Sequence, residues 1–183
     1  MRKVIIVLLF INIVACSNKE VANKELKEIA REIIISSKNC ALITVDSLGV
    51  ANARTMDPFL PEEDFTIWMA TNPKSKKVKE IMANPKVTLY YFDKNNPGYV
   101  TIQGIATLVD SQKEKEKFWK EEWKNFYKDR KTNYLLIKFT PSKLNIISEK
   151  HNVLGDSITW KSPEINFNKL SVKVNSPTQS SKQ

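Results

Sequence analysis

Histidine occurs once in this chain, glycine four times and cysteine twice, and each scarcity removes a class of chemistry. The one histidine, His151, leaves no His-rich metal cluster and no zinc-ligand spacing. No Gly-rich phosphate loop of the Walker or dinucleotide type is present. No serine sits in a G-x-S-x-G elbow, which leaves a nucleophile triad without its usual seat. Redox chemistry would therefore need a bound cofactor to supply it. The apolar run Val4 to Val14 is shorter than the roughly 20 residues of a membrane span.

That run follows a basic start, "MRK", and fits a cleaved secretory signal. Its ending, Ile13-Val14-Ala15-Cys16, resembles the lipobox of bacterial lipoproteins. The resemblance implies a signal peptide over 1–15, acylation of Cys16, a tether over 16–24 and membrane attachment through lipid alone. Ser17 after the cysteine implies the outer membrane where the cell has two. A plain signal cut elsewhere, or a short membrane anchor, is the alternative. Cys40 is then a lone thiol without a disulfide partner. It sits in the apolar stretch "NCALITV" and reads as a small core residue, with a reactive thiol as the other reading.

What is present is one ordinary domain's worth of core, 42% hydrophobic residues in 183. The net charge is +9, of which Arg2 and Lys3 contribute two, and the remaining lysines are spread along the chain. The basic run Lys113 to Lys131 is interrupted by Glu114, Glu116, Glu121 and Glu122, which argues against a nucleic-acid face.

Periodicity predicts a helix over Glu25 to Ser37, with Leu26, Ile29, Ile33 and Ile34 on one face. A hairpin follows from Cys40 to Met56 with its turn at Asp46 to Gly49. Further strands are expected at Phe65 to Ala70, Lys86 to Phe92 and Tyr99 to Val109, the last with a bulge or close backbone approach at Gly104. A helix is expected from Ser111 to about Tyr127, carrying a ridge of Phe118, Trp119, Trp123, Phe126 and Tyr127. Tyr134 to Thr140 and Leu144 to Ser148 read as the sixth and seventh strands. Residues 168–183 read as a disordered tail by composition. Short strands joined by hairpins, with small helices between, predict an α+β fold: an antiparallel sheet curled into a small barrel with helices outside.

One segment is electrostatically odd. In "MATNPKSKKVKEIMANP" a short helix opens near Pro73 to Ser75 and stops at Asn84-Pro85. Its first turn carries Lys74, Lys76, Lys77 and Lys79, where unpaired N–H groups already make the helix end positive. Either these lysines are a solvated face or an anion belongs there. Arg54 in the preceding hairpin, Thr71 at a strand end and the hydroxyl of Ser75 would complete a phosphate pocket.

The order of these parts resembles the pyridoxamine 5'-phosphate oxidase-like split barrels, in particular their general stress protein subgroup. The carrying pieces are "ARTM", "FTIWMATNPKSKKVKEIMANPKVTLYYFD", "YVTIQGIATLVD" and "LLIKFTPSKLNIIS", within a domain over 25–167. The resemblance implies a split barrel of six to seven strands, a homodimer, and FMN at the subunit interface. It implies Arg54, Ser75 and Lys77 as phosphate ligands, with Thr71 and Lys76 next. The backbone at Thr55 and Met56, and the strand end Trp68 to Ala70, would lie along the flavin ring. Where the true oxidases carry a glutamine facing the flavin, this chain has Tyr99. Their C-terminal arginine-and-histidine stretch has no counterpart in "ITWKSPEINF". The expected function is an FMN-dependent oxidoreductase with a substrate other than pyridoxamine phosphate. A non-catalytic flavin or haem carrier of the envelope and a barrel that binds nothing are the alternatives. The ridge of Trp119, Trp123 and Phe126 either roofs the flavin of the partner subunit or belongs to helix packing.

Overall fold

The computed structural model describes residues 22–167. The signal segment, Cys16 and the tail over 168–183 lie outside the described residues. No described helix is long and apolar enough to cross a membrane.

Helix α1 spans 22–37 and buries Ile29, Ala30, Ile33 and Ile34. Lys38, in the left-handed region at φ 61°, ends it. The guanidinium of Arg31 in α1 donates to the carbonyls of Pro61, Glu62 and Glu63. That pins the loop around Pro61 against the helix.

The strands are β1 (Cys40–Val45), β2 (Ala51–Met56), β3 (Ile67–Thr71), β4 (Lys86–Asp93), β5 (Gly98–Val109), β6 (Leu135–Ser148) and β7 (Glu164–Asn166). All pairings are antiparallel, in the order β2-β1-β4-β5-β6-β3, with β7 on the second half of β6. A bridge between Pro58 and Met69, and the bond from Phe59 N–H to the Trp68 carbonyl at 2.8 Å, join the segment after β2 to β3. The first and last strands of the order thus meet, and the sheet closes around an aliphatic interior containing Leu42, Ile67, Met69, Leu89, Ile102 and Ile146. This is the α+β antiparallel barrel that the sequence pattern predicts.

Two expectations need correction. The sixth and seventh strands are one continuous strand, β6, and the true β7 lies twenty residues further on. Pro141 does not break β6 because it falls between the part paired with β3, up to Phe139, and the part paired with β7, from Lys143. Its missing N–H therefore costs no pairing on that side. Opposite it, the register of β5 shifts between Gln103 and Gly104. A Cβ at Gly104 would overlap the Thr140 carbonyl oxygen and come within 2.6 Å of the Phe139 ring, so the close approach expected there is real.

The expected long helix from Ser111 is instead α3 (Gln112–Lys117), a break, and a 3-10 turn over Glu121–Asn125. Tertiary contacts override the helical period. Phe118 leaves the helix to stack on Trp68, ring centroids 4.3 Å apart, and its carbonyl accepts the hydroxyl of buried Tyr134. Residues 118–127 form an aromatic strap over the outer face of β3 and the start of β6, a second core of Trp68, Phe118, Trp123, Tyr134 and Leu136.

Candidate functional site

Helix α2 (Lys76–Ala83) lies across one end of the barrel with Val78, Glu80 and Ile81 buried beneath it. Ser75 is its N-cap residue, one of the caps that the sequence offers, and Pro73 precedes it by two. No side chain caps the end. The first turn contains no acid, as expected, but one turn on lies a carboxylate that the sequence reading missed. Glu80, only 4% exposed, accepts from Arg54 Nη2 at 2.8 Å and from the Thr44 hydroxyl at 2.5 Å through the same oxygen. Arg54 Nη1 donates to Thr44 as well. Lys76 Nζ stands 3.5 Å from the second Glu80 oxygen, which makes no hydrogen bond. Burial pushes the Glu80 carboxyl up, but the Thr44 hydroxyl and the Arg54 guanidinium outweigh it and hold its pKa below the usual value.

Lys77 is different. It is half-buried and donates to Thr71 Oγ1 at 3.2 Å, and Thr71 in turn meets Ser75 Oγ at 3.0 Å. No carboxylate pairs with it among the described residues. Burial and the neighbouring Arg54 charge push its pKa down. An ammonium held without a counter-ion, beside two hydroxyls, is a donor set suited to an anion.

Lys77, Thr71 and Asn72 form one end of a cleft of about 620 Å³, within the size range of ligand pockets, roughly 300–1,000 Å³. Thr55, Met56 and Ala70 line its barrel side. Its opposite side is the strap, with Glu122, Trp123, Phe126 and Tyr127, and Asp57 lies between the two. Burial and the Asp57 charge raise the pKa of Tyr127, which stays a neutral phenol. The cleft therefore runs from a cationic, hydroxyl-rich end to an aromatic wall.

Of the residues singled out in the sequence, Thr55, Met56, Thr71 and Lys77 line this cleft. Ser75 meets the lining through Thr71, whereas Arg54 and Lys76 are bound to Glu80 and do not touch the cleft, Lys76 also donating to Asn52 at 3.1 Å. Trp119 faces Tyr134 and the Arg130 guanidinium, 4.1 Å from its ring, and is not part of the lining. Tyr99 sits on the outside of the barrel beside Tyr90, ring centroids 5.8 Å apart. Glu80 was legible only as an acid four residues after Lys76 on a face otherwise held by Val78 and Ile81. Trp123 and Phe126, which the sequence offers as a flavin roof or as packing, line the cleft, while Asp57 and Tyr127 needed the fold. Cys40 is buried, its thiol pushed up to about 12 chiefly by burial, and is inert. His151 pairs with Glu32 of α1 at 2.8 Å.

Residues 24–165 match the family described as pyridoxamine 5'-phosphate oxidase like. The chain belongs to that family. General stress protein 26 from Bacillus anthracis str. Sterne is 31% identical, over 67% of this chain and 93% of that one, with a TM-score of 0.59. A protein from Clostridium acetobutylicum related to general stress protein 26 is 22% identical, covering 79% and 95%, with a TM-score of 0.64. A pyridoxamine 5'-phosphate oxidase-related, FMN-binding protein from Nostoc punctiforme PCC 73102 shares the fold at 15% identity, covering 76% and 92%, with a TM-score of 0.57. No curated protein matches the chain in sequence.

Proposed function

We propose that this family member binds FMN in the cleft between α2 and the strap and acts as an oxidoreductase on a small substrate other than pyridoxamine phosphate. The observation that carries the reading is Lys77, a half-buried ammonium with hydroxyl neighbours and no carboxylate partner. A phosphate monoester there would supply the missing counter-ion and accept from Lys77, Thr71, Ser75 and the unpaired N–H groups at the start of α2. The planar ring would extend along Thr55, Met56 and Ala70 toward Trp123 and Tyr127. Bound flavin would supply hydride transfer. The protein's own part is to hold, orient and shield it. Haem fits less well, because the one histidine is engaged with Glu32 on α1 and does not line the cleft.

The reading includes a homodimer. Side chains that point outward from β1, β2, β4 and β5 include Ile43, Val45, Tyr90, Phe92 and Tyr99, and the strands' outward positions carry no charge apart from Lys86. An uncharged sheet face this broad suits a second copy, in a chain with 27% charged residues. Thr55 belongs both to this face and to the cleft, so a partner seated there would border the flavin, and Tyr99 would act toward the partner's cleft. The lipid anchor at Cys16, with residence in the cell envelope, completes the proposal and rests on the sequence Ile13 to Cys16.

The test is an absorption spectrum and fluorescence titration of the purified protein with FMN and riboflavin. A structured yellow spectrum, or flavin quenching with FMN bound more tightly than riboflavin, is expected. A colourless protein that ignores FMN would remove this function and leave the fold. Reduction of bound flavin by a nicotinamide donor, followed by catalytic reoxidation, separates an enzyme from a carrier. Cys16→Ser is expected to abolish labelling by a lipid precursor, and unchanged labelling would sink the anchor.

A further inference from the structure

At the cleft, Trp123 of the strap is hydrogen-bonded to the barrel's closing segment through one carboxylate. Asp57 follows β2 and precedes Pro58, where the barrel closes onto β3. Its Oδ1 accepts from Lys120 Nζ at 2.6 Å and its Oδ2 from Trp123 Nε1 at 2.7 Å. Lys120 Nζ also donates to the Pro58 carbonyl at 2.9 Å. The same ammonium lies 5.1 Å from the ring centroids of both Phe59 and Trp123. Among the described residues, no other side chain of residues 119–128 hydrogen-bonds to the barrel or its closing segment.

Asp57 and Trp123 both line the cleft, on either side of its aromatic end. An indole N–H is a donor only, so where Trp123 stands depends on where an acceptor is offered. Here that acceptor belongs to the barrel, while the ring belongs to the strap. That bond, beside the edge-on contact of Phe59 with Trp123, ties the aromatic wall to the barrel side at the cleft.

We propose that Asp57 is a positioning residue that sets the width of the cleft for a planar heteroaromatic ring, by holding Trp123 through its indole N–H and Lys120 through its charge. This deepens the flavin reading of the cleft and rests on it. Its signature differs from that of the phosphate end. Loss of the clamp should weaken binding of the ring with or without a phosphate, whereas loss of Lys77 should weaken only the phosphorylated ligand. A merely stabilising Asp57 would shift the melting temperature and leave both affinities alone.

The test measures FMN and riboflavin affinities of Asp57→Ala, Asp57→Asn and Trp123→Phe, the last keeping a ring but losing the N–H. Asp57→Ala and Trp123→Phe are each expected to weaken both flavins about tenfold, the worth of one well-placed hydrogen bond. The double variant should be no weaker than Asp57→Ala alone, because that change already removes the bond lost in Trp123→Phe. Asp57→Asn, which keeps an acceptor for the indole, should restore most of the affinity. Unchanged affinities in the single variants, or losses that add in the double variant, overturn the proposal. Should Asp57→Ala not fold, Trp123→Phe decides alone, and unchanged riboflavin affinity overturns it. If the wild-type protein binds neither flavin, the flavin reading falls and the clamp is judged by trypsin. Cleavage after Lys120, Lys124 or Lys128 should be faster in Trp123→Phe than in wild type, and equal rates overturn the clamp.

Discussion

The molecule has two cores built by different means. The barrel interior is mainly aliphatic, with Phe65, Tyr91 and Phe139 set among the aliphatic side chains, and is closed on itself and filled from seven strands and the helices α1 and α2. The strap region is aromatic, built on the outer face of β3 and β6, and one side of it is the wall of the cleft. A closed aliphatic core holds through area removed from water and has little directional demand. The strap instead depends on edge-on rings, on Arg130 over Trp119 and on the Asp57 bonds. Rigidity is placed in the barrel, and the adjustable surface lies beside the site. Between them α2 carries the charges, with Glu80 facing the barrel and Lys77 facing the cleft.

The largest effects should come from the barrel. Arg54→Ala leaves the buried Glu80 carboxylate with only the more exposed Lys76, 3.5 Å away, as its cation. It is expected to destabilise the fold by about 3 kcal/mol, the low end for breaking a buried pair, read by denaturant unfolding. A loss below about 1 kcal/mol would mean that Glu80 is solvated or protonated there. For that reason Arg54 is a poor probe of ligand binding, because its removal acts first on the fold.

Next comes Lys77→Ala, which should leave stability nearly unchanged and reduce FMN affinity by a charge-assisted hydrogen bond, about 1.5–3 kcal/mol, with riboflavin unaffected. Equal weakening of both flavins would move the phosphate elsewhere. Because burial and Arg54 lower the pKa of Lys77 from 10.5, its charge is lost at a lower pH than that of an ordinary lysine. Raising the pH through the lowered value should therefore weaken FMN and spare riboflavin, and Lys77→Ala should abolish that difference.

Acid probes the other side of α2. The folded Glu80 pKa lies below its usual 4.5, so the folded state binds fewer protons than the unfolded one as pH falls past that value. The Glu80 contribution is complete above pH 4.5 and is lost as pH drops through the depressed folded value. Glu80→Gln should flatten this part of the acid limb of stability, measured by urea midpoints at successive pH values. An unchanged limb would show that other carboxylates dominate it.

The smallest effect is expected in the strap away from the cleft. Trp119→Phe should cost about 0.5–1 kcal/mol through the weakened Arg130 contact and leave FMN affinity as it was. A clear loss of FMN affinity would return Trp119 to the flavin's surroundings.

Alternation and turn residues made β1, β2, β4 and β5 legible, because period-two burial is a local property of the chain. The long helix after Ser111 was misread for the converse reason. Its 3.6-residue aromatic spacing is real, but Phe118 and Trp123 gain more from Trp68 and Asp57 than from continuing the helix. The unity of β6 across Pro141 was likewise invisible, since it depends on which neighbour pairs with each half. At the site, the lysines at the start of α2 raised the question of an anion, and Lys77 is the half-buried one among them that pairs with no carboxylate, Lys74 and Lys79 being exposed. Arg54 was legible as a charge needing a partner, but the partner was a carboxylate on α2.

By itself the sequence determined the antiparallel α+β barrel, the close approach at Gly104 and the cationic start of α2, because each follows from local period, local sterics or local charge. Only the tertiary structure decided which lysine faces the cleft, that Glu80 claims Arg54, and that Asp57 bolts an aromatic strap to the barrel closure. Those are pairings between residues far apart in the chain, and a side chain's partner is chosen by the packing that brings the two together.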